Sequence, residues 1–267
     1  MGVSHGPAIK KNNLFFCVYI AMASFNFTQQ GDFKLPKVPM NTDKELHKNL
    51  KEPLNSIKSG RLILIAGSSG SGKSSALVNM FIMAPCKQTK QKMSLKGCFD
   101  NIFVVSPSMG SFKKNVFKDV QEEYCFDNLL EFLDNYREII NSDEEETAII
   151  LDDVGSQIRT KEVLNKFNKM IHNRRHQRLV LFVIVQTIGM VVPAIRDSVN
   201  ILVVFKPKSI REKELIYDLT SLPKKHMEEF FNAMFNQRYD CLLIDMTQTN
   251  SNDFLFYRNI FNKITFN

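Results

Sequence analysis

The chain contains a glycine-rich segment whose residue types and spacing match a phosphate-binding loop. Gly67, Gly72, Lys73 and Ser74 satisfy the pattern G-x-x-x-x-G-K-[ST]. Glycines let the backbone turn its N–H groups toward phosphate oxygens, and the positive end of the following helix lies behind them. We expect Lys73 to bind the β- and γ-phosphates of ATP and the Ser74 hydroxyl to ligate Mg²⁺. The predicted nucleotide-binding residues are Gly67, Ser68, Ser69, Gly70, Ser71, Gly72, Lys73, Ser74 and Ser75.

The sequence on both sides of this loop favours the same interpretation. Residues 61–66, RLILIA, form a continuous apolar run that is typical of a strand buried on both faces. After the loop, Leu77, Met80 and Phe81 recur at helical spacing. The alternative is a Gly/Ser-rich turn that merely connects two elements. The order of strand, glycine loop and helix favours phosphate binding.

A pair of adjacent acids forms the second chemical signal. Residues 147–156, TAIILDDVGS, contain an apolar strand that ends in Asp152 and Asp153, as in a Walker B motif. We expect Asp152 to hold the Mg²⁺ shell through water and Asp153 to orient and deprotonate the attacking water. Kinases that act on a small metabolite do not need this second acid, so the pair favours hydrolysis. The alternative is a polar turn after a strand.

A third polar residue closes another apolar strand. Residues 179–187, LVLFVIVQT, are apolar until Gln186. A buried amide at this position needs a polar partner, because its burial without one is costly. We expect that partner to be the γ-phosphate or the lytic water, whereas the alternative role for Gln186 is only to cap the strand end.

The elements that position these residues alternate along the chain. Further strands are predicted in NIFVVSPS (101–108), around YDCLLIDM and around DFLFYRN, and helices after Asp127, after Thr160 and near 223–236. Leu129, Leu130, Leu133, Tyr136 and Ile140 are the predicted apolar face of the first helix, and Val163, Leu164, Phe167, Met170 and Ile171 that of the second. This alternation predicts an α/β fold with a mostly parallel central sheet flanked by helices and with extra C-terminal strands. We expect an N-terminal extension and linker arm over 1–56 and a P-loop ATPase domain over 57–267.

Composition limits the possible partners. The chain has 267 residues, a formal net charge of +7 and an isoelectric point near 9.1, which suits a polyanion such as nucleic acid, although many basic proteins have no such partner. Our candidates for phosphate contacts are the basic loop, which carries Lys87, Lys90, Lys92 and Lys96, and the segment 161–178. The five cysteines form no C-x-x-C pair, so neither a zinc site nor a disulfide framework is indicated.

The N-terminal residues 10–23 are similar to a secretory signal. Lys10 and Lys11 precede the apolar run LFFCVYIAMA, which is too short to span a membrane as a helix. Secretion does not suit a protein that hydrolyses ATP. We therefore expect no membrane partner and no secretion.

The series GSSGSGKS, IILDD, NRRHQ, VQT and VPAIRDSVNILVVF resembles the viral DNA-packaging ATPases of the FtsK–HerA superfamily, of the poxvirus-like type found in large DNA viruses and virophages. The resemblance covers residues 58–246. It implies a RecA-like fold and a homo-oligomeric ring that moves double-stranded DNA into a capsid, in the host cytoplasm or on the virion, with capsid or portal proteins as partners. By motif position, Lys73, Ser74, Asp152, Asp153 and Gln186 carry over as the site residues. Asp153 departs from cellular relatives, which have Glu there.

A ring also allows one subunit to supply an arginine finger to the nucleotide of its neighbour. Our first candidate is Arg196, with Arg174 and Arg175 as alternatives. The leading functional hypothesis is thus an ATP-driven DNA-packaging motor. The alternatives are another DNA-dependent ATPase, such as a helicase or loader, and a non-motor P-loop protein or kinase.

Overall fold

The computed structural model describes residues 44–82, 90–108, 124–140, 144–220, 227–248 and 253–265. They belong to the compact unit Met40–Asn267, one of two into which the chain divides. The signal-like residues 10–23, Lys87 of the basic loop and the first residues of the helix predicted near 223–236 lie outside the described residues.

The described strands form one sheet. They are β1 (Leu62–Ala66), β2 (Asn101–Val105), β3 (Cys125–Phe126), β4 (Thr147–Asp152), β5 (Leu179–Val185), β6 (Ile201–Phe205), β7 (Cys241–Asp245), β8 (Leu255–Arg258) and β9 (Asn262–Ile264). Their order across the sheet is β3-β2-β4-β5-β1-β6-β7-β8-β9. The strands from β3 to β6 are parallel, whereas β7, β8 and β9 add to the β6 edge in antiparallel pairs. The predicted mostly parallel sheet with extra C-terminal strands is confirmed.

Helices cover both faces of this sheet. They are α1 (Lys73–Ile82), α2 (Leu129–Ile139), α3 (Lys161–Asn173), α4 (Pro193–Arg196), α5 (Ile210–Thr220) and α6 (Met227–Met234). Successive β1 side chains alternate between two buried clusters, with Leu64 in one and Ile65 in the other. The Leu64 cluster contains side chains of α2, α3, α5 and α6, and the Ile65 cluster those of α1. No described helix is both long and apolar enough to cross a membrane.

The start of α2 differs from the prediction. Asn128, not Asp127, is the N-cap, and its Oδ1 accepts hydrogen bonds from the backbone N–H groups of Leu130 at 2.8 Å and Glu131 at 3.3 Å. Phe132 joins the buried face of α2, whereas Leu130 is only partly buried. Asp and Asn are both good N-cap residues, so the sequence did not distinguish these neighbours.

Thr160 occupies the predicted N-cap position of α3, but its side chain makes no capping hydrogen bond. Its hydroxyl instead donates to the carbonyl oxygen of Gln157 at 3.0 Å. The apolar face predicted for α3 is otherwise found, since Val163, Phe167, Met170 and Ile171 are buried.

The segment before β1 packs on the sheet. Leu50, Leu54 and Ile57 are buried in the cluster that contains Ile65 and α1. The Tyr257 hydroxyl of β8 donates to Glu52 Oε1 at 2.6 Å. The compact unit therefore begins earlier than the boundary at residue 57 that the sequence indicated, because apolar side chains of this segment are part of the core.

Candidate nucleotide-binding site

Four neighbouring parallel strands end at one edge of the sheet, and each is followed by a small or polar residue. Ser106 follows β2, Asp153 follows β4, Gln186 follows β5 and Gly67 follows β1. Asp152 pairs with Ile184, and Val185 pairs with Ala66, so these strand ends are in register. Crevices at the carboxyl ends of parallel strands are the usual ligand sites of open α/β sheets. The sheet order thus brings the predicted P-loop, acids and glutamine together.

The P-loop connects β1 to α1 and depends on its glycines. Gly72 has φ +103°, in the region that favours glycine. A Cβ at Gly67 would lie 2.7 Å from both Phe205 Cβ and Ser71 Oγ. Within the loop, the Ser71 N–H donates to the Ser68 carbonyl oxygen at 3.1 Å. Larger residues at 67 or 72 would therefore distort the loop.

Lys73 lies at the start of α1 and is partly buried in the loop. Its Nζ donates to the carbonyl oxygens of Gly67 at 2.6 Å and Ser68 at 3.0 Å. Burial lowers the pKa of Lys73, and the negative charges of Asp152 and Asp153 oppose that shift. Both acids thus act electrostatically on the P-loop lysine. Ser74 and Ser75 follow on the exposed first turn of α1.

The carboxylate of Asp152 has an unfavourable environment at the end of β4. Burial raises its pKa, and so does the charge of Asp153, while a hydrogen bond from Ser106 and the charge of Lys73 oppose the rise. The Ser106 hydroxyl donates to Asp152 Oδ2 at 3.4 Å. A cation beside Asp152 would stabilise the charged carboxylate. Carboxylate and hydroxyl oxygens are ligands that Mg²⁺ prefers. The environment of Asp152 therefore fits a magnesium ligand.

Asp153 and Gln186 contact each other across neighbouring strand ends. Gln186 Nε2 donates to Asp153 Oδ1 at 3.2 Å and lies 3.4 Å from Oδ2. Asp153 has φ +54°, so the alternation of side chains between the two faces of β4 ends before it. Its N–H donates to the Ile184 carbonyl oxygen at 3.2 Å. The expected burial of Gln186 is wrong, because β5 ends at Val185 and Gln186 is exposed. Its partner in this structure is the carboxylate of Asp153.

The three candidate arginines lie in different environments. Arg174 is 9% exposed and donates to the carbonyl oxygens of Gly60 at 2.8 Å, Ile171 at 2.6 Å and Ser198 at 3.3 Å. Burial, with the nearby charges of Arg175 and Arg61, lowers its pKa to about 10. The Arg174 side chain thus holds three backbone segments together and is poorly placed to act as a finger or to contact DNA, whereas Arg175 is exposed.

Arg196 ends α4, and its backbone lies away from the P-loop. Its carbonyl oxygen accepts from the Val199 N–H, and the Asn200 N–H donates to Leu62 at the amino end of β1. Gly67 follows the opposite end of that strand, about 16 Å from Leu62 at ~3.3 Å per residue. Arg196 is partly exposed, and its buried Nε has no hydrogen-bond partner among the described residues.

A cavity of about 620 Å³ adjoins the P-loop on its β6 side. Its lining combines P-loop and α1 residues with residues from β6 onward, namely Gly70, Gly72, Lys73, Ser74, Ser75, Ala76, Asn79, Phe205, Tyr239, Cys241, Asn259 and Ile260. Ser106 and the distal residues Phe205 and Tyr239 were not predicted to belong to the site. Ser106 had a usable signal, a polar residue after an apolar strand, whereas Tyr239 had none because it is far along the chain from the P-loop.

The lysines proposed to contact DNA phosphates differ in their exposure and in their hydrogen-bond and ion-pair partners. Lys90 and Lys96 are exposed, whereas Lys92 is half-buried and its Nζ donates to Cys98 Sγ at 3.2 Å. In α3, Lys166 forms ion pairs with Asp134 at 2.6 Å and Glu162 at 3.0 Å. Among the described residues, no cluster of His, Cys, Asp and Glu has the composition of a metal site.

Solved structures with a similar fold come from viruses of Sulfolobus. B204, the DNA-packaging ATPase from Sulfolobus Turreted Icosahedral Virus, superimposes with a TM-score of 0.55 at 17% identity, over 74% of this chain and 97% of B204. B204 from Sulfolobus turreted icosahedral virus 2 gives 0.52 at 17% identity in complex with AMPPCP, over 73% and 96% of the two chains. Its complex with AMP gives 0.51 at 18% identity, over 70% and 92%. At these identities the similarity establishes the fold.

Sequence comparison gives the family. No curated protein matches the chain at a significant level. A family model described as the poxvirus A32 protein matches residues 51–251, which include the P-loop, both acids, Gln186 and Arg196. This match confirms the resemblance to the poxvirus-like type that the motifs indicated. Because it spans well over half of the sequence, the chain belongs to the poxvirus A32 protein family.

Proposed function

We propose that this protein is an ATP-driven motor that moves double-stranded DNA into a viral capsid. The observation that carries the proposal is the meeting of Lys73, Asp152, Asp153 and Gln186 at adjoining strand ends, where lysine, acids and amide interact. This arrangement is suited to hydrolysis of a nucleoside triphosphate. The family match and the fold shared with a DNA-packaging ATPase connect that hydrolysis to genome packaging.

Each residue of the site has a separate role in hydrolysis. The P-loop N–H groups and Lys73 stabilise the charge that develops on the β- and γ-phosphates. Asp153 orients the attacking water and accepts its proton. Gln186 holds the Asp153 carboxylate through its amide N–H, so it is a positioning residue in this contact.

Mg²⁺ would be held by the Ser74 hydroxyl and, through water, by Asp152. The ion supplies positive charge to the β- and γ-phosphoryl oxygens. The raised pKa of Asp152, caused first by burial and then by Asp153, supports this role, because a neighbouring cation favours the charged carboxylate. Ser106 orients the same carboxylate by donating to Oδ2.

Assembly into a homo-oligomeric ring would complete the site. Arg196 accepts from the Val199 N–H, and the next residue, Asn200, donates to Leu62 at the amino end of β1, whereas the P-loop follows the carboxyl end of that strand. Within one subunit Arg196 is therefore poorly placed to reach the γ-phosphate. A neighbouring subunit could present it in trans as an arginine finger.

Double-stranded DNA is the proposed polyanionic partner. The net charge of +7 favours contacts with phosphates, and Lys90, Lys96 and Arg175 expose their side chains. A packaging motor also needs a capsid or portal protein as its docking partner. Such a motor works in the host cytoplasm or on the virion.

ATP hydrolysis measured with and without long duplex DNA tests the proposed function. We expect DNA to stimulate turnover by the native protein, and Lys73→Ala to abolish turnover in both conditions because the phosphates lose their fixed cation. A variant that keeps full turnover would contradict the P-loop assignment. Hydrolysis that does not respond to duplex DNA would contradict the motor, and strand separation in a fork assay would indicate a helicase instead.

A further inference from the structure

The cavity beside the P-loop has the composition of a site for a planar apolar group. Phe205, Tyr239 and Ile260 border it, with the Cys241 thiol among them. The pKa of Cys241 is raised to about 12, mainly by burial, so the thiol is neutral at physiological pH. The volume of about 620 Å³ lies within the range of about 300–1,000 Å³ that is typical of small-molecule sites.

Tyr239 stands out among these residues because it is a large aromatic side chain that is 55% exposed. Its Cδ1 would lie 3.2 Å from a Cβ at Gly72, so the ring borders the backbone of the P-loop. The Arg238 guanidinium lies 4.8 Å from the ring centroid, over one face. The ring is thus an exposed aromatic surface beside the phosphate-binding loop.

The backbone that presents Tyr239 is unusual. Tyr239 has φ +71°, and Asn259 and Ile260 across the cavity have φ +50° and +71°. Such backbone conformations are costly for most residues other than glycine, above all for a β-branched residue, and they cluster at functional sites. Three of the six described non-glycine residues with positive φ thus border this one cavity.

Asp240 fixes these strained segments to each other. Its carboxylate accepts hydrogen bonds from the Gln237 N–H at 2.8 Å, from Arg258 at 2.7 Å and from Asn259 Nδ2 at 2.9 Å. Burial alone would raise the pKa of Asp240, but these hydrogen bonds outweigh it and the pKa is lowered. The charged carboxylate therefore holds the Tyr239 loop and the turn at Asn259 in one arrangement, so the site is preorganised.

We propose that the nucleobase of the bound triphosphate enters this cavity and stacks on Tyr239, with Arg238 supporting the other face of the ring. The inference rests on the proposed function, since the P-loop must first hold the phosphates. The cavity begins at the P-loop and continues past Ala76 and Asn79 of α1, so it offers the nucleoside a path away from the acids. The polar side chain of Asn259 is already engaged with Cys241 and Asp240. In the proposed complex, Tyr239 contributes to nucleotide affinity by aromatic stacking.

Two ligands that share phosphates but differ in the nucleoside test the proposal. Calorimetric titration of the full chain would compare a non-hydrolysable ATP analogue with inorganic tripolyphosphate. Tyr239→Ala should weaken binding of the ATP analogue by about 5- to 150-fold, the range for loss of one base–aromatic stack, and leave tripolyphosphate affinity unchanged. Tyr239→Phe, which keeps the ring, should bind both ligands like the native protein.

Two further variants make the result specific. Ile210→Ala removes another exposed apolar side chain, one that does not border the cavity, and should change neither affinity. Lys73→Ala should weaken both ligands. Unchanged affinity of Tyr239→Ala for the ATP analogue, equal weakening of both ligands, or a loss in Tyr239→Phe as large as in the alanine variant would overturn stacking. Failure of the native protein to bind either ligand would instead overturn the proposed nucleotide site.

Discussion

Replacement of Gln186 by alanine removes the amide that holds Asp153. The amide N–H lies 3.2 Å from one carboxylate oxygen and 3.4 Å from the other, so it makes one good hydrogen bond and one long contact. Gln186 and Asp153 are both exposed. The free energy that their hydrogen bond contributes is therefore below the ~1.5–3 kcal/mol typical of a hydrogen bond to a charged group. A loss of about 1.4 kcal/mol in transition-state stabilisation corresponds to a tenfold lower kcat. We expect that reduction with little change in KM, because Gln186 contacts the proposed base.

A double-mutant cycle with Asp153→Asn tests this mechanism. If Gln186 acts by positioning Asp153, then Gln186→Ala should have almost no further effect on kcat once the carboxylate is gone. Steady-state ATP hydrolysis of the four proteins supplies the coupling energy, and Gln186→Asn provides an amide on a shorter side chain as a matched control. Fully additive effects of the two substitutions would refute the reasoning, since Gln186 would then act without Asp153.

Three other predictions concern the acids, the finger and the basic surface. Asp152→Asn should raise the melting temperature at neutral pH while abolishing hydrolysis, because burial raises the Asp152 pKa and its charged form destabilises the fold. Thermal melts should show this gain shrinking as pH falls through the raised folded pKa and vanishing below the unfolded pKa of about 4. Arg196→Ala and Asp153→Asn subunits should each hydrolyse ATP far more slowly than the native protein when alone and regain activity when mixed; co-assembled subunits without recovery would rule out a finger in trans. Replacing Lys90 and Lys96 with alanine should reduce the salt dependence of duplex binding in a filter or fluorescence assay, whereas an unchanged slope would remove both from the DNA surface.

Local patterns were sufficient for much of the fold. The observed strands β1, β4, β5 and β6 are buried along their whole length except at the polar end of β4, because central parallel strands contact helices on both faces. The helical spacing of Leu77, Met80 and Phe81 also predicted a helix after the P-loop, and α1 spans Lys73–Ile82. Capping was harder to predict: adjacent Asp127 and Asn128 are equally suited to it, and only the backbone path selects Asn128.

The arginines show where sequence patterns were insufficient. Arg174 and Arg175 are neighbours in one basic segment, and composition gives no reason to separate them. The turn after α3 directs Arg174 inward to three carbonyl oxygens and leaves Arg175 exposed. Gln186 is a similar case, since its exposure depends on β5 ending at Val185.

The sequence by itself determined the chemistry of the phosphate loop and the acids. Gly67, Gly72, Lys73 and Ser74 lie within eight residues, so their spacing along the chain is enough to specify a loop that binds phosphates. Tertiary structure decided which distant residues complete the site. Parallel strands pair through non-local hydrogen bonds, and the order β2-β4-β5-β1 places Ser106 beside Asp152 and Gln186 beside Asp153.

The cavity wall at Tyr239 depends on tertiary structure in the same way. The antiparallel strands that follow β6 bring residues 239 and 259 to the P-loop, and Asp240 holds their strained backbones together. No spacing rule in the sequence links position 72 to position 239. Their contact arises only when the edge of the sheet is complete, because the strand order, rather than the chain order, determines which loops meet at the carboxyl ends of the strands.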